Sequence, residues 1–289
     1  MSKRGLGFLE DKLDAADVSR ETNRYVLSLI PYEETTTYVT GTRNGPRAIV
    51  EASGHIELLD ETLRVDASSH GILTLAPDIS DLGSVRAHVS RVVEEHPGAV
   101  LGFLGGEHSI TPAIIEGSRS SGIGIVWIDA HADLRRSFHG REDNHACAGL
   151  NALQYGQIVQ VGVRSLASEE ADFLEQSGQV KSFRYWNDQA KDAIRGLPGR
   201  VYLSVDMDGF SPMLVRGVGT PEPGGLMWED VMDILDFLFG EKDVFAFDVV
   251  ELCPHEDDVV SSYTAARLVY KVMAYHTYHK LRGLLPPGR

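Results

Sequence analysis

Short apolar runs recur along the chain at Val26–Ile30, Ile72–Leu75, Ala99–Leu104, Ile123–Ile128, Ile158–Val163, Val201–Val205 and Val244–Val250. Most are continuously apolar rather than alternating. Strands buried on both faces read this way, whereas a half-exposed strand alternates. The stretches between them carry helical spacing. In Asp81–Glu95, the residues Leu82, Val85, Val89, Val92 and Val93 form one apolar stripe, the pattern of an amphipathic helix. Thr111–Arg119, Ser168–Gln176 and Trp228–Phe239 read as further helices, the last followed by a glycine stop at Gly240. A final long helix is predicted from about Ser261 to Leu281. Strands alternating with helices predict an α/β fold, a three-layer α/β/α sandwich with a central, mostly parallel sheet. No Pro/Gly-rich linker divides the chain. Residues 1–289 are therefore expected to form a single domain, with about residues 1–25 as a polar helical appendage and Leu284–Arg289 as a frayed tail.

Composition narrows the class. The hydrophobic fraction is 43% and the charged fraction 24%, as in a soluble globular protein. The longest apolar runs are too short to span a bilayer. The N-terminal MSKRGLGFLEDKL lacks the apolar core of a secretory signal. Cys147 and Cys253 are the only cysteines, too few for a disulfide scaffold, and a cytoplasmic location is expected. The net charge of −15 argues against a nucleic-acid partner. That acidity either steers a cationic substrate or serves solubility alone.

The polar residues at the ends of the apolar runs carry the chemistry. WIDAHADL, residues 127–134, places Asp129, His131 and Asp133 at alternate positions after a strand-like run. In an extended backbone these three would share one face. GGEHS places His108 after Ala99–Leu104, and SVDMDGFSP places Asp206 and Asp208 after Val201–Val205. Ligands of parallel sheets bind beyond the carboxyl ends of the strands, so these residues are expected on one rim. A single Asp after a strand is ordinarily a helix cap. Several aspartates at one edge would instead repel one another strongly unless cations lay between them. Four carboxylates and two imidazoles suit two octahedral ions, with Mn²⁺ favoured over Zn²⁺. Such a pair lowers the pKa of bound water from ~15.7 toward ~7 and makes it a nucleophile.

A proton carrier is also needed. His145 follows His131 by 14 residues and is either a loop residue folded back over the site or a histidine at a helix start. His139 reads as a surface residue. Glu251 ends the last strand, with Asp248 read on the same face; it either receives a cation or caps a helix. The turn-rich loop Gly219–Gly225 offers Thr220 and Glu222 as substrate contacts, or Glu222 pairs with a neighbour. The chain lacks GxGxxG, Walker A and GxSxG sequences.

Taken together these segments resemble the arginase/agmatinase ureohydrolases, most closely the agmatinases. The resemblance spans roughly residues 26–276. It rests on PYEETTTYVTGTRNGPRAI, WIDAHADLR, SVDMDGFSP, GVGTPEPGGL and FDVVELCP in order, and on GGEHS, where Glu107 stands in place of the commoner Asp. It implies two Mn²⁺ per subunit. His108, Asp129, Asp133 and Asp206 would hold one, and Asp129, His131, Asp206 and Asp208 the other. It implies His145 as the proton shuttle, Asp133 as the residue orienting the nucleophile and Glu251 as the guanidinium acceptor. It further implies a homo-oligomer, trimer or hexamer. The expected substrate is a small cationic guanidino compound, agmatine first, cleaved to urea and putrescine. The cluster Arg135, Arg136 and Arg141 departs from this pattern and would suit a guanidino acid such as guanidinobutyrate. Arginine and formiminoglutamate follow. A catalytically inactive regulatory member is the non-enzymatic alternative.

Overall fold

The computed structural model describes residues 7–10, 12 and 24–281. Its strands are β1 (Tyr25–Ile30), β2 (Ile72–Leu75), β3 (Val100–Gly105), β4 (Ile123–Ile128), β5 (Gly156–Val161), β6 (Val180–Phe183), β7 (Arg200–Asp206) and β8 (Asp243–Val250). They form one parallel sheet in the order β2-β1-β3-β8-β7-β4-β5-β6. Seven of these strands coincide with the predicted apolar runs. The eighth, β6, was invisible because VKSF is short and sits half-exposed at the sheet edge.

The helices are α1 (Gly45–Ser53), α2 (Leu82–Glu95), α3 (Ile110–Gly117), α4 (Ala148–Ala152), α5 (Ser168–Gln176), α6 (Asp188–Arg195), α7 (Trp228–Glu241) and α8 (Val259–His276). A π-helical turn, Thr277–Leu281, extends α8 to the predicted end. Helix α1 opens on Gly45-Pro46, a pair that marks turns as readily as helix starts. Helix α2 starts on Asp81, whose carboxylate accepts from the Ser84 backbone N–H at 2.7 Å while Ser84 returns a bond to the Asp81 N–H.

Alternation along the strands builds the three layers. In β1, Tyr25, Leu27 and Leu29 enter the apolar cluster shared with α1, α6, α7 and α8. Val26 and Ile30 enter the opposite cluster, shared with α2, α3 and α4. The predicted N-terminal appendage lies almost wholly outside the described residues, as does the tail. The part described, residues 7–10, is a turn rather than a helix. It buries Phe8 and Leu9, with their N–H groups donating to Thr74 Oγ1 and Ser53 Oγ.

Among the described residues, no helix is long and apolar enough to cross a membrane. One buried charge pair fastens α8 to the connection before β2. Lys271 Nζ lies 2.8 Å from Asp60 Oδ2, and both side chains are buried. The other Asp60 oxygen accepts from the N–H groups of Thr62 and Leu63. Removing the cation would strand a buried carboxylate. Lys271→Met is therefore expected to lower unfolding free energy by about 3–5 kcal/mol in denaturant titration, and adding Asp60→Asn should recover much of that loss.

Candidate metal centre and active site

The site lies at the carboxyl ends of β3, β8, β7 and β4, which are consecutive in the sheet. That order brings together His108, Glu251, the Asp206/Asp208 pair and the 129–133 segment from four distant parts of the sequence. Close backbone approach positions the first of them. An ideal Cβ on Gly106 would stand 2.0 Å from the Tyr32 carbonyl oxygen, so only glycine fits. The Gly106 and Glu107 N–H groups bond the carbonyls of Ile30 and Tyr32, and Glu251 N–H bonds the Gly106 carbonyl. His108 is thereby placed beside Glu251, whose Oε1 accepts from the His108 N–H at 2.7 Å.

The three metal-type residues after β4 converge. β4 ends at Ile128. Asp129 then accepts from the His131 N–H at 2.6 Å, and Asp133 adopts a left-handed backbone with φ 53°. His131 still pairs with Ser165 in a parallel bridge, and the left-handed backbone at Asp133 is where the extended course ends. Asp206 closes β7, and Asp208 sits in the 3₁₀ turn that follows.

Two groups of ligand atoms result. His108, Asp129 and Asp206 form one, and Asp129, His131 and Asp208 the other, each with its atoms within 4.8 Å of one another. Asp129 belongs to both. His108 Nδ1 stands 3.1, 3.2 and 3.4 Å from Oδ2 of Asp206, Asp129 and Asp133. His131 Nδ1 stands 3.0 Å from Asp208 Oδ2.

The outer atoms of these side chains are occupied by protein partners. Trp127 Nε1 donates to Asp129 at 2.8 Å, Asp208 N–H to Asp206 at 2.7 Å, and Ala130 N–H to Asp208 at 3.1 Å. His108 stacks on Trp127 with ring centroids 4.2 Å apart, and its Nε2 pairs with Ser204 Oγ at 2.9 Å. Asp248 stands behind this contact. It is fully buried and accepts from Ser204, Thr111 and Tyr202. Asp248 therefore does not share a face with Glu251: the two are three positions apart, and strand alternation sends them to opposite sides.

These residues fit a metal. His108 Nδ1 is sealed from water and makes no hydrogen bond, although three carboxylate oxygens face it. A buried imidazole nitrogen in that position has a lone pair directed at a point the carboxylates share. The charges agree. Burial, then the nearby Asp129 charge, pushes Asp133 up to about 7. Burial, then Asp208 and Asp129, pushes Asp206 far above the ordinary carboxylate range. Burial, then the Glu107 and Asp208 charges, does the same to Glu251 despite its His108 N–H bond. Burial disfavours a protonated His108, but the Asp129, Asp133 and Asp206 carboxylates beside Nδ1 outweigh it and raise its pKa. Cations between these groups relieve both the burial cost and the repulsion.

The cluster forms one wall of a cavity of about 240 Å³. His145, Glu251 and Thr220 also line it. Burial holds the His145 pKa below its ordinary value, so its imidazole is neutral at pH 7. Thr220 Oγ1 stands 3.4 Å from Asp208 Oδ2. Glu222 stands at the side, 3.9 Å from His131 Nε2, while its carbonyl accepts from Arg164. His139 is exposed and packs on Phe138. Cys147 and Cys253 are buried, as small apolar residues are.

The three arginines part company. Arg135 lines the cavity, but Glu169 and Glu170 lie 3.7 and 3.8 Å from it, and it covers the Phe138 ring. Arg141 is tied to Asp143 at 3.0 Å and Glu34 at 3.4 Å. Arg136 is exposed beside a neighbouring cavity. Several supporting residues had no sequence signal. Arg164 bonds the carbonyls of Gly162, Asp208, Gly209, Phe210 and Glu222 and so joins two loops. Glu170 accepts from Leu134 N–H, bracing the turn after Asp133. Each acts through contacts that sequence spacing does not encode.

The sequence model described as the Arginase family matches residues 23–275. An N(1)-aminopropylagmatine ureohydrolase of Synechocystis is 35% identical over 270 residues, covering 85% of this chain and 87% of that protein. An agmatinase of Pyrococcus horikoshii is 36% identical over 260 residues, covering 86% and 90%. The crystal structure of the agmatine ureohydrolase of Thermoplasma volcanium superposes with a TM-score of 0.82 at 29% identity, covering 96% of both chains. The chain belongs to the arginase family and is a ureohydrolase of that family.

Proposed function

We propose that the enzyme hydrolyses the guanidinium group of agmatine to urea and putrescine, with two Mn²⁺ ions per subunit. The observation that carries this reading is the sharing of one cavity by the ligand cluster, His145 and Glu251. His108, Asp129, Asp133 and Asp206 would hold one ion and Asp129, His131, Asp206 and Asp208 the other. When bound, the pair supplies an activated water at neutral pH.

The chain's own residues do the rest. Glu251 Oε1 is held by the His108 N–H. Its other oxygen is left for the substrate's planar NH₂ groups, a charge-assisted contact that fixes the guanidinium carbon in place. Asp133 orients the attacking water from inside the cluster. His145, neutral at rest, takes a proton from that water and gives it to the departing nitrogen. The balance is one guanidinium and one water to one urea and one alkylammonium. Thr220 steadies Asp208, and Glu222 lies near the free end of the substrate. The same reading places the enzyme in the cytoplasm as a homo-oligomer acting on a small guanidino compound.

The paired state of Arg135 and Arg141 supports a cationic substrate over a guanidino acid. Their charges are matched by Glu169, Glu170, Asp143 and Glu34 and are not free for a carboxylate. A second reading, N(1)-aminopropylagmatine, is favoured by the names of several relatives. It keeps the same chemistry and adds one further amine to the leaving chain.

Three outcomes are expected. Divalent metal should raise the melting temperature of metal-stripped protein, since ligand at 100 times its Kd adds about 2.7 kcal/mol. Asp129→Ala, common to both ligand groups, should abolish that rise; two ions retained by this variant in metal analysis would sink the assignment. His145→Ala should lower turnover about 10²–10⁴-fold with both metals still bound. In a Mn²⁺-supplemented urea-release assay, agmatine or N(1)-aminopropylagmatine should be consumed ahead of 4-guanidinobutyrate and arginine at equal concentration. A clear preference for 4-guanidinobutyrate would refute the amine reading and leave the ureohydrolase chemistry standing.

A further inference from the structure

We infer that Glu107, acting through the Thr35 hydroxyl, fixes which ring nitrogen of His145 carries the proton. Glu107 and Thr35 are positioning residues for the proton carrier. The inference rests on the role proposed above for His145.

Glu107 is fully buried and faces only donors. Its Oε2 accepts from the Glu34 and Thr35 N–H groups, each at 2.6 Å. Its Oε1 accepts from Ser109 Oγ at 2.5 Å and stands 2.7 Å from Thr35 Oγ1. Two oxygens at 2.7 Å with no proton between them repel. Both Glu107 oxygens accept, Oε2 from two backbone N–H groups and Oε1 from Ser109 Oγ, and in this arrangement Thr35 Oγ1 is the donor to Oε1, so its hydroxyl proton points at Glu107.

That assignment uses the only proton Thr35 has. Its oxygen keeps two lone pairs, and two nitrogens approach it. His145 N–H donates to it at 3.0 Å, and His145 Nδ1 lies 3.0 Å away. With the Thr35 proton committed, Nδ1 makes this contact only as a donor. The neutral imidazole then carries its proton on Nδ1, and Nε2 is bare. Nε2 is the nitrogen left to the cavity that His145 lines. A bare Nε2 accepts a proton from water; a protonated one cannot. The carboxylate thus selects the reactive form of the histidine across an intervening hydroxyl. The same carboxylate holds residues 34 and 35 by their backbone, so loop position and proton position are set together.

The wild-type chain, labelled with ¹⁵N-histidine and loaded with diamagnetic Mg²⁺, tests this without any substrate. The His145 signal is identified by its loss in His145→Ala. It should show a protonated Nδ1 and a bare Nε2. A proton on Nε2 would overturn the inference. In turnover, Thr35→Val should lower kcat about 10–100-fold, the range seen when partners orienting a histidine are removed, with KM little changed. Thr35→Ser should restore it. Glu107→Gln should behave like Thr35→Val; unchanged kcat and unchanged tautomer in that variant would remove Glu107 from the chain of action. In the His145→Ala background, Thr35→Val should cost nothing further. The same loss in both backgrounds would mean that Thr35 acts through the loop and not through His145. Failure of every guanidino compound to yield urea would refute the proposed function, while the tautomer measurement still decides the role of Glu107.

Discussion

Buried negative charge is the constraint on which the rest of the structure turns. Asp129, Asp133, Asp206 and Asp208 are all nearly sealed from water, and Glu251 stands beside them. Burial and mutual repulsion push Asp133, Asp206 and Glu251 toward their neutral forms. The surrounding donors do not cancel this charge; they organise it. Trp127 Nε1 and the N–H groups of Ala130, His131 and Asp208 hold these carboxylates in position. One oxygen each of Asp129, Asp133 and Asp206 faces His108 Nδ1.

Concentrating that charge needs a particular sheet. Strand order places β3, β8, β7 and β4 side by side, so four chain segments deliver ligands to one rim. The backbone is bent to finish the job. Asp133 and Glu251 are both non-glycine residues in the left-handed region, at φ 53° and 61°. Each such residue costs about 1–2 kcal/mol. The surrounding contacts over-determine them: Leu150 N–H on the Asp133 carbonyl, and Gly106 on the Glu251 N–H. A glycine would relieve the strain and forfeit the carboxylate.

The outer part of the cavity follows a second rule, that positive groups there are paired. Arg135 and Arg141 each face acidic partners. Lys271 shows the same rule in the core, where Asp60 matches it.

The sequence by itself determined the layered fold and named the polar residues that the fold gathers at one rim. Continuous apolar runs encode strands buried on both faces, and seven of the strands were legible on that basis. His108, Asp129, His131, Asp133, Asp206, Asp208, His145 and Glu251 were legible because each follows a run or a motif. Tertiary structure alone decided how they meet. The order of strands cannot be read from apolar runs, because every run looks alike. The expected alternation runs past β4 as far as the His131–Ser165 bridge, and the left-handed backbone at Asp133 ends it. Asp248 faces the core because it stands three positions before Glu251, and residues three apart on a strand point to opposite faces. The partners of His145 were hidden in the sequence. Thr35 and Glu107 lie 110 and 38 positions away in sequence, and only the folded loop makes one hydroxyl answer to both.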